Sequence, residues 1–103
     1  MMNRIRGGTT APARTDLPQS HAAQLLIETA VRLEAETPFV VLAERDLDAA
    51  YDAAAEQVLA GVPSAVSAQA RSCAAAALPR VRYELLETAG EYALRLRAVA
   101  GEL

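Results

Sequence analysis

Four carboxylates, Glu44, Asp48, Asp52 and Glu56, recur at every fourth residue. On a helix that spacing lines them up in one ridge, and carboxylates so arranged can hold a hard cation or meet the arginines of a basic protein partner. No histidine or second ligand-bearing motif accompanies them, so no metal is expected and the ridge is read as a solvated face or partner-binding surface. His21 is the only histidine, the side chain best suited to proton transfer near neutrality. It falls in the first turn of a helical segment, on the polar side, with no nucleophile beside it. Cys73 lies among alanines, where a free thiol behaves as a small inert hydrophobe. With no convergent acid, base and nucleophile, no catalytic residue and no cofactor are expected, and the chain reads as a non-enzymatic protein.

Phosphate-binding loops are not in evidence either. Gly7-Gly8 precedes no strand, and Gly90 sits inside a helical pattern, where it costs about 1 kcal/mol relative to alanine and suggests close approach by another helix beside Tyr92. The segment Ala-Glu-Gln-Val-Leu-Ala-Gly-Val-Pro-Ser-Ala-Val-Ser around Gly61 superficially resembles the helix-turn-helix of bacterial repressors. That motif places a small residue four before the turn glycine and an aliphatic one six after it; here those positions hold Gln57 and Ser67. Val66 arrives one residue early, a rotation of about 100° on a helix. The second helix of such a motif would offer DNA only Arg71, beside an acidic ridge.

Composition narrows the partners further. The net charge is −3 and the sequence pI about 5.1, a balance that argues against a protein whose main task is neutralising phosphates. All 10 basic residues are arginine, which together with the abundance of alanine suggests a GC-rich bacterial source. One cysteine gives no internal disulfide. The N-terminus has arginines without an apolar stretch behind them, and no run reaches the roughly 18 apolar residues of a membrane span, so a cytoplasmic location is expected.

Among 103 residues there is room for one domain. Residues 1–16, with Arg4, Arg6 and Arg14, carry no apolar periodicity and are expected to form a disordered basic tail; residues 17–103 are expected to form an all-α bundle of three to four helices. A first helix should start near Leu17–Ser20 and run to Glu36, burying Ala23, Leu26, Ile27, Ala30, Val31 and Leu33, with Glu28 and Arg32 paired on the polar side. Thr37-Pro38 suits the start of a second helix that takes in Phe39–Leu42 and continues to Ala60, with Leu47, Ala50, Tyr51, Ala54 and Val58 inward and Gly61 ending it. A strand at 39–42 is the alternative by composition, set aside for want of a partner strand; a fresh helix start at Asp46 is another. Ser64 opens a third segment, with Val66, Ala70, Cys73 and Ala77 inward. Pro79 interrupts it, and the spacing Ala77, Val81, Leu85, Ala89 favours a kinked continuation over a break.

The fourth segment, from Arg80 to about Ala100, carries the clearest pattern in the chain. Leu85, Ala89, Tyr92, Leu96, Val99 and Leu103 alternate at steps of four and three, with Leu86, Ala93 and Ala100 beside them, as in a helix facing a partner helix. A core rich in alanine and poor in aromatics buries little surface per residue. These features predict a homo-oligomer joined through that helix, acting as a regulator, adaptor or assembly component. Two alternatives stand beside it: a DNA-binding transcriptional regulator using the Gly61 region, and an antitoxin or inhibitor-type binder of a basic partner.

Overall fold

A computed structural model describes residues 18–103, which form four α-helices and one short 3-10 turn. Helix α1 spans Pro18–Glu36, α2 Glu44–Val58, α3 Ser64–Ala77 and α4 Ala89–Gly101; the 3-10 turn is Tyr83–Leu85. The all-α bundle expected from the sequence is therefore what these residues build. The expected tail at 1–16 lies outside the described residues.

Helix α1 is the hub. It packs along α2, α3 and α4, whose backbones approach one another far less closely. Its buried residues are Ala22, Leu25, Leu26, Thr29, Ala30 and Leu33, a stripe wide enough to meet three neighbours because Ala22, Thr29 and Ala30 let their backbones come near. Thr29 is fully buried and returns its hydroxyl proton to the Leu25 carbonyl at 2.8 Å, so its burial strands no donor. The stripe is rotated from the expected one: Ile27 and Val31 are exposed, while Ala22, Leu25 and Thr29 are inside. Across from it lie alanines of every other helix, Ala54 and Ala55, Ala70 and Ala74, Ala93 and Ala100. Ala50, Tyr51, Val58, Cys73 and Ala77 pack partly buried at the margin of this core.

Arginine forks brace the hub. Arg32 pairs with Glu28 at 3.3 Å, one turn back as expected, and also donates to Gln57 Oε1 of α2 at 2.5 Å. Arg97 of α4 grips Glu34 of α1 through both oxygens, at 2.6 and 3.2 Å, and this pairing holds the Glu34 carboxyl below its ordinary pKa.

Two expected helical stretches are not helical. Residues 37–43 turn away from α1 and then run extended, with Val41 bridged antiparallel to Thr88. The partner strand that the sequence did not reveal is thus the segment just before α4. Helix α2 starts at Glu44, with Ala43 rather than Pro38 or Asp46 at its N-terminal boundary. The second correction is at Pro79, where the chain breaks rather than kinks: α3 stops at Ala77 and α4 begins only at Ala89. A complete capping box replaces the continuation, the Thr88 hydroxyl accepting from the Glu91 N–H and the Glu91 carboxylate from the Thr88 N–H. Helix α2 ends at Val58 with Leu59 as its cap, short of the expected Ala60, and Gly61 takes the turn that follows at a left-handed φ of 78°.

Gly90 does mark a close approach, by a loop rather than a helix. Its N–H donates to the Pro38 carbonyl at 2.8 Å, and a β-carbon there would lie 2.9 Å from that same oxygen. Gly90→Ala should therefore lower the melting temperature despite alanine's better helix propensity, because either the Pro38 carbonyl or the α4 N-terminus must move. A melt by circular dichroism that rises instead would show the 37–43 loop to be freely displaceable.

Candidate interaction surface

The loops 37–43 and 78–88 lie side by side at one end of the bundle. Three backbone bonds link the first to the start of α4 and the residues just before it: Leu42 N–H to the Glu87 carbonyl at 2.9 Å, Ala89 N–H to the Val40 carbonyl at 3.0 Å, and the Gly90–Pro38 bond. Beneath them, Leu42, Val81 and Ala89 are buried. Glu87 is a charged residue only 5% exposed, and its carboxylate holds the second loop closed. Both its oxygens accept from Arg95, at 2.7 and 2.8 Å, and Oε1 also accepts the Arg82 N–H at 2.9 Å. Beside it the Tyr92 hydroxyl donates to the Pro79 carbonyl at 2.5 Å, with the Arg95 guanidinium 5.7 Å from the Tyr92 ring centre. Burial pushes the Tyr92 phenol up to about 12, opposed by the nearby Arg95 charge. Because the folded chain then keeps a proton that the unfolded chain releases near 10, stability should fall as pH rises from about 10 to 12. Alkaline melts of Tyr92→Phe against the parent chain check this; the variant should lose that part of the slope.

Outward these loops expose large apolar side chains beside the charged Arg80, Arg82 and Glu84. Phe39 is 91% exposed, Leu85 and Leu86 are 66% exposed each, and Val40, Val41 and Tyr83 are about half exposed. Soluble monomers seldom expose so many large apolar side chains on two neighbouring loops without a use for them. Leu86 is moreover held at φ 53°, the one non-glycine residue in the left-handed region among those described, a conformation that costs a leucine about 1 kcal/mol or more. Its N–H closes the 3-10 turn on the Tyr83 carbonyl at 3.0 Å. The turn therefore holds a leucine in a strained conformation while leaving it facing water.

The residues singled out in the sequence fall elsewhere, or are put to other uses. Along the stripe of four and three, Ala89, Tyr92 and Leu96 are buried within the chain and Val99 is partly so; α1 is their partner helix. Leu85 lies in the 3-10 turn and Leu103 beyond α4, and both are exposed. Glu44, Asp48, Asp52 and Glu56 do share the outer side of α2 and are all exposed. Asp52 lies 3.7 Å from Arg71 of α3, whose guanidinium sits 5.9 Å from the Tyr51 ring centre while the Tyr51 hydroxyl donates to the Arg71 carbonyl. Asp52→Ala should accordingly be near neutral in a thermal melt, since the loss of a loose exposed pair is offset by relief of repulsion along the ridge and by helix propensity. Strong destabilisation would mean that the ridge is an internal element. Among the described residues no group of His, Cys, Asp and Glu could hold a metal ion, and no helix is long and apolar enough to cross a membrane.

Sequence reasoning overlooked Phe39–Val41 as a surface and Glu87 as a buried anchor. One signal for the second was present: Thr88-x-x-Glu91 is the pattern of a helix start, and it places Glu87 outside the helix. No comparable signal marks Phe39, because an apolar run reads as core until its neighbours are known.

Fold and surface together define a small helical bundle with two bonded loops that expose large apolar side chains at one end. No family model, curated protein or solved structure matches the chain.

Proposed function

We propose that this protein is a non-enzymatic interaction module, an oligomeric regulator, adaptor or assembly component, that binds through the platform formed by Phe39, Val40, Val41, Tyr83, Leu85 and Leu86. The observation that carries this reading is the exposure of these six large apolar residues on two loops that are themselves fixed by backbone bonds and by Glu87. A rigid apolar patch loses little entropy on association, so its burial goes largely into affinity. The contact surface moves from the fourth helix, whose stripe is occupied by α1, to the loops at its N-terminal end. The acidic ridge on α2 is an outward face that could steer a basic partner without supplying the main contact.

The platform can be altered without touching the core. In the double variant Phe39→Asp/Leu86→Asn, a charge replaces the most exposed aromatic, and asparagine tolerates the left-handed backbone better than leucine. The expected result is a melting temperature within a few degrees of the parent, together with loss of the material that co-elutes with the parent chain in native mass spectrometry. Asp52→Ala should retain that material. Retention by Phe39→Asp/Leu86→Asn would remove the platform from the proposal.

A further inference from the structure

We infer that the platform's partner is a second copy of this chain, paired edge to edge across Val41. In an antiparallel ladder the backbone groups of successive residues point alternately to either side. The bonds flanking the Val41–Thr88 bridge are made by Leu42 with Glu87 and by Ala89 with Val40, so the N–H and C=O of Val41 point away from Thr88. Neither makes a hydrogen bond among the described residues. Thr88, by contrast, is closed on its far side: its N–H goes to Glu91 Oε1 at 2.9 Å and its carbonyl accepts from Tyr92 at 3.0 Å. The two-residue ladder thus has one sealed edge and one open edge, and an open edge is a template for another strand.

A second copy fits that edge by symmetry. With a two-fold axis between two Val41 residues, each N–H reaches the other's carbonyl, the bonded type of pair that must follow an unbonded one. Phe39 of each copy then lies in the turn just before the paired residue, off the two-fold axis. Two hydrogen bonds alone would not hold two chains together, so the apolar side chains must supply most of the affinity. Phe39, Val40 and Val41 lie on the open-edge segment and supply that contact, while Tyr83, Leu85 and Leu86 lie on the segment across the Val41–Thr88 bridge and flank it.

This inference rests on the platform being a contact surface, and the test separates the two. The full chain is examined by sedimentation equilibrium at high micromolar concentration, where twice the 10.9 kDa chain mass is expected. Register is then read by thiol cross-linking with dibromobimane in a Cys73→Ser background. Val41→Cys places two thiols on residues about 5.5 Å apart between α-carbons and should give a covalent dimer. Phe39→Cys, in the 37–40 turn two residues from the axis, places them farther apart and should give little. A dimer linked efficiently at Val41→Cys and many-fold less at Phe39→Cys supports the pairing. A monomeric mass overturns it, and so does a dimer that links equally at both positions or at neither. If the chain is monomeric yet Phe39→Asp/Leu86→Asn still releases another bound protein, this inference falls while the interaction module stands.

Discussion

Leu96→Asp should abolish the cooperative thermal melt. Leu96 is fully buried on α4, facing the hub helix. The substitution removes buried methyl groups, at about 2–5 kcal/mol for such a deletion, and leaves a carboxylate with no partner in an alanine-lined interior, adding several kcal/mol more. Domains of this size have about 5–15 kcal/mol in all, and one built on small side chains belongs at the low end. Leu94, two residues away on the same helix, is mostly exposed, and Leu94→Asp should melt within a few degrees of the parent. The pair of variants therefore reads which side of α4 is inside. Equal tolerance of both would mean that α4 does not pack on α1.

Glu87→Ala is expected to have the second-largest effect. Its side chain accepts three hydrogen bonds, two from a guanidinium, and removing it leaves the Arg82 N–H without its acceptor and the Arg95 charge without its counter-ion. Breaking a fully buried pair costs about 3–5 kcal/mol. Because Arg95 is 27% exposed, water recovers part of that, and a loss of about 2–3 kcal/mol is expected. At about 4–8 °C per kcal/mol for a domain this small, the melting temperature should fall by about 8–24 °C. Glu91→Ala, which removes only the capping carboxylate, should cost about 1 kcal/mol. If the two variants melt alike, Glu87 is not the anchor of the 78–88 loop. The same comparison bears on the platform, since Leu85 and Leu86 are carried by the loop that Glu87 closes.

Much of the architecture was legible in the chain. Helix α1 begins within the Leu17–Ser20 start and ends at Glu36 where the periodicity places it, and Gly61 takes the left-handed turn that separates α2 from α3. Local chemistry is sufficient there: proline tolerates a first turn, glycine a positive φ, and alanine favours helix over everything else. The acidic ridge follows from spacing alone, since any helix through Glu44–Glu56 must carry those carboxylates on one side. Glu28 and Arg32 meet for the same reason.

Tertiary structure decided the rest. Which residues of α1 face inward depends on having three neighbours, so Leu25 and Thr29 go inside while Ile27 and Val31 stay out; a pattern read against a single partner cannot supply that. The fate of Phe39–Leu42 depended on a contact between positions 41 and 88, far apart in sequence, where composition allowed either helix or strand and only the neighbouring segment could choose. Pro79 permitted either a kink or a break; the break won because Thr88, Glu91, Glu87 and Arg95 jointly stabilise a fresh helix start and an extended approach to it. The leucine stripe identified a buried helix face from periodicity, but periodicity does not distinguish a partner in the same chain from one in another. That choice was made by α1, whose alanines let α4 approach closely enough to take up the stripe and leave the apolar surface at the loops.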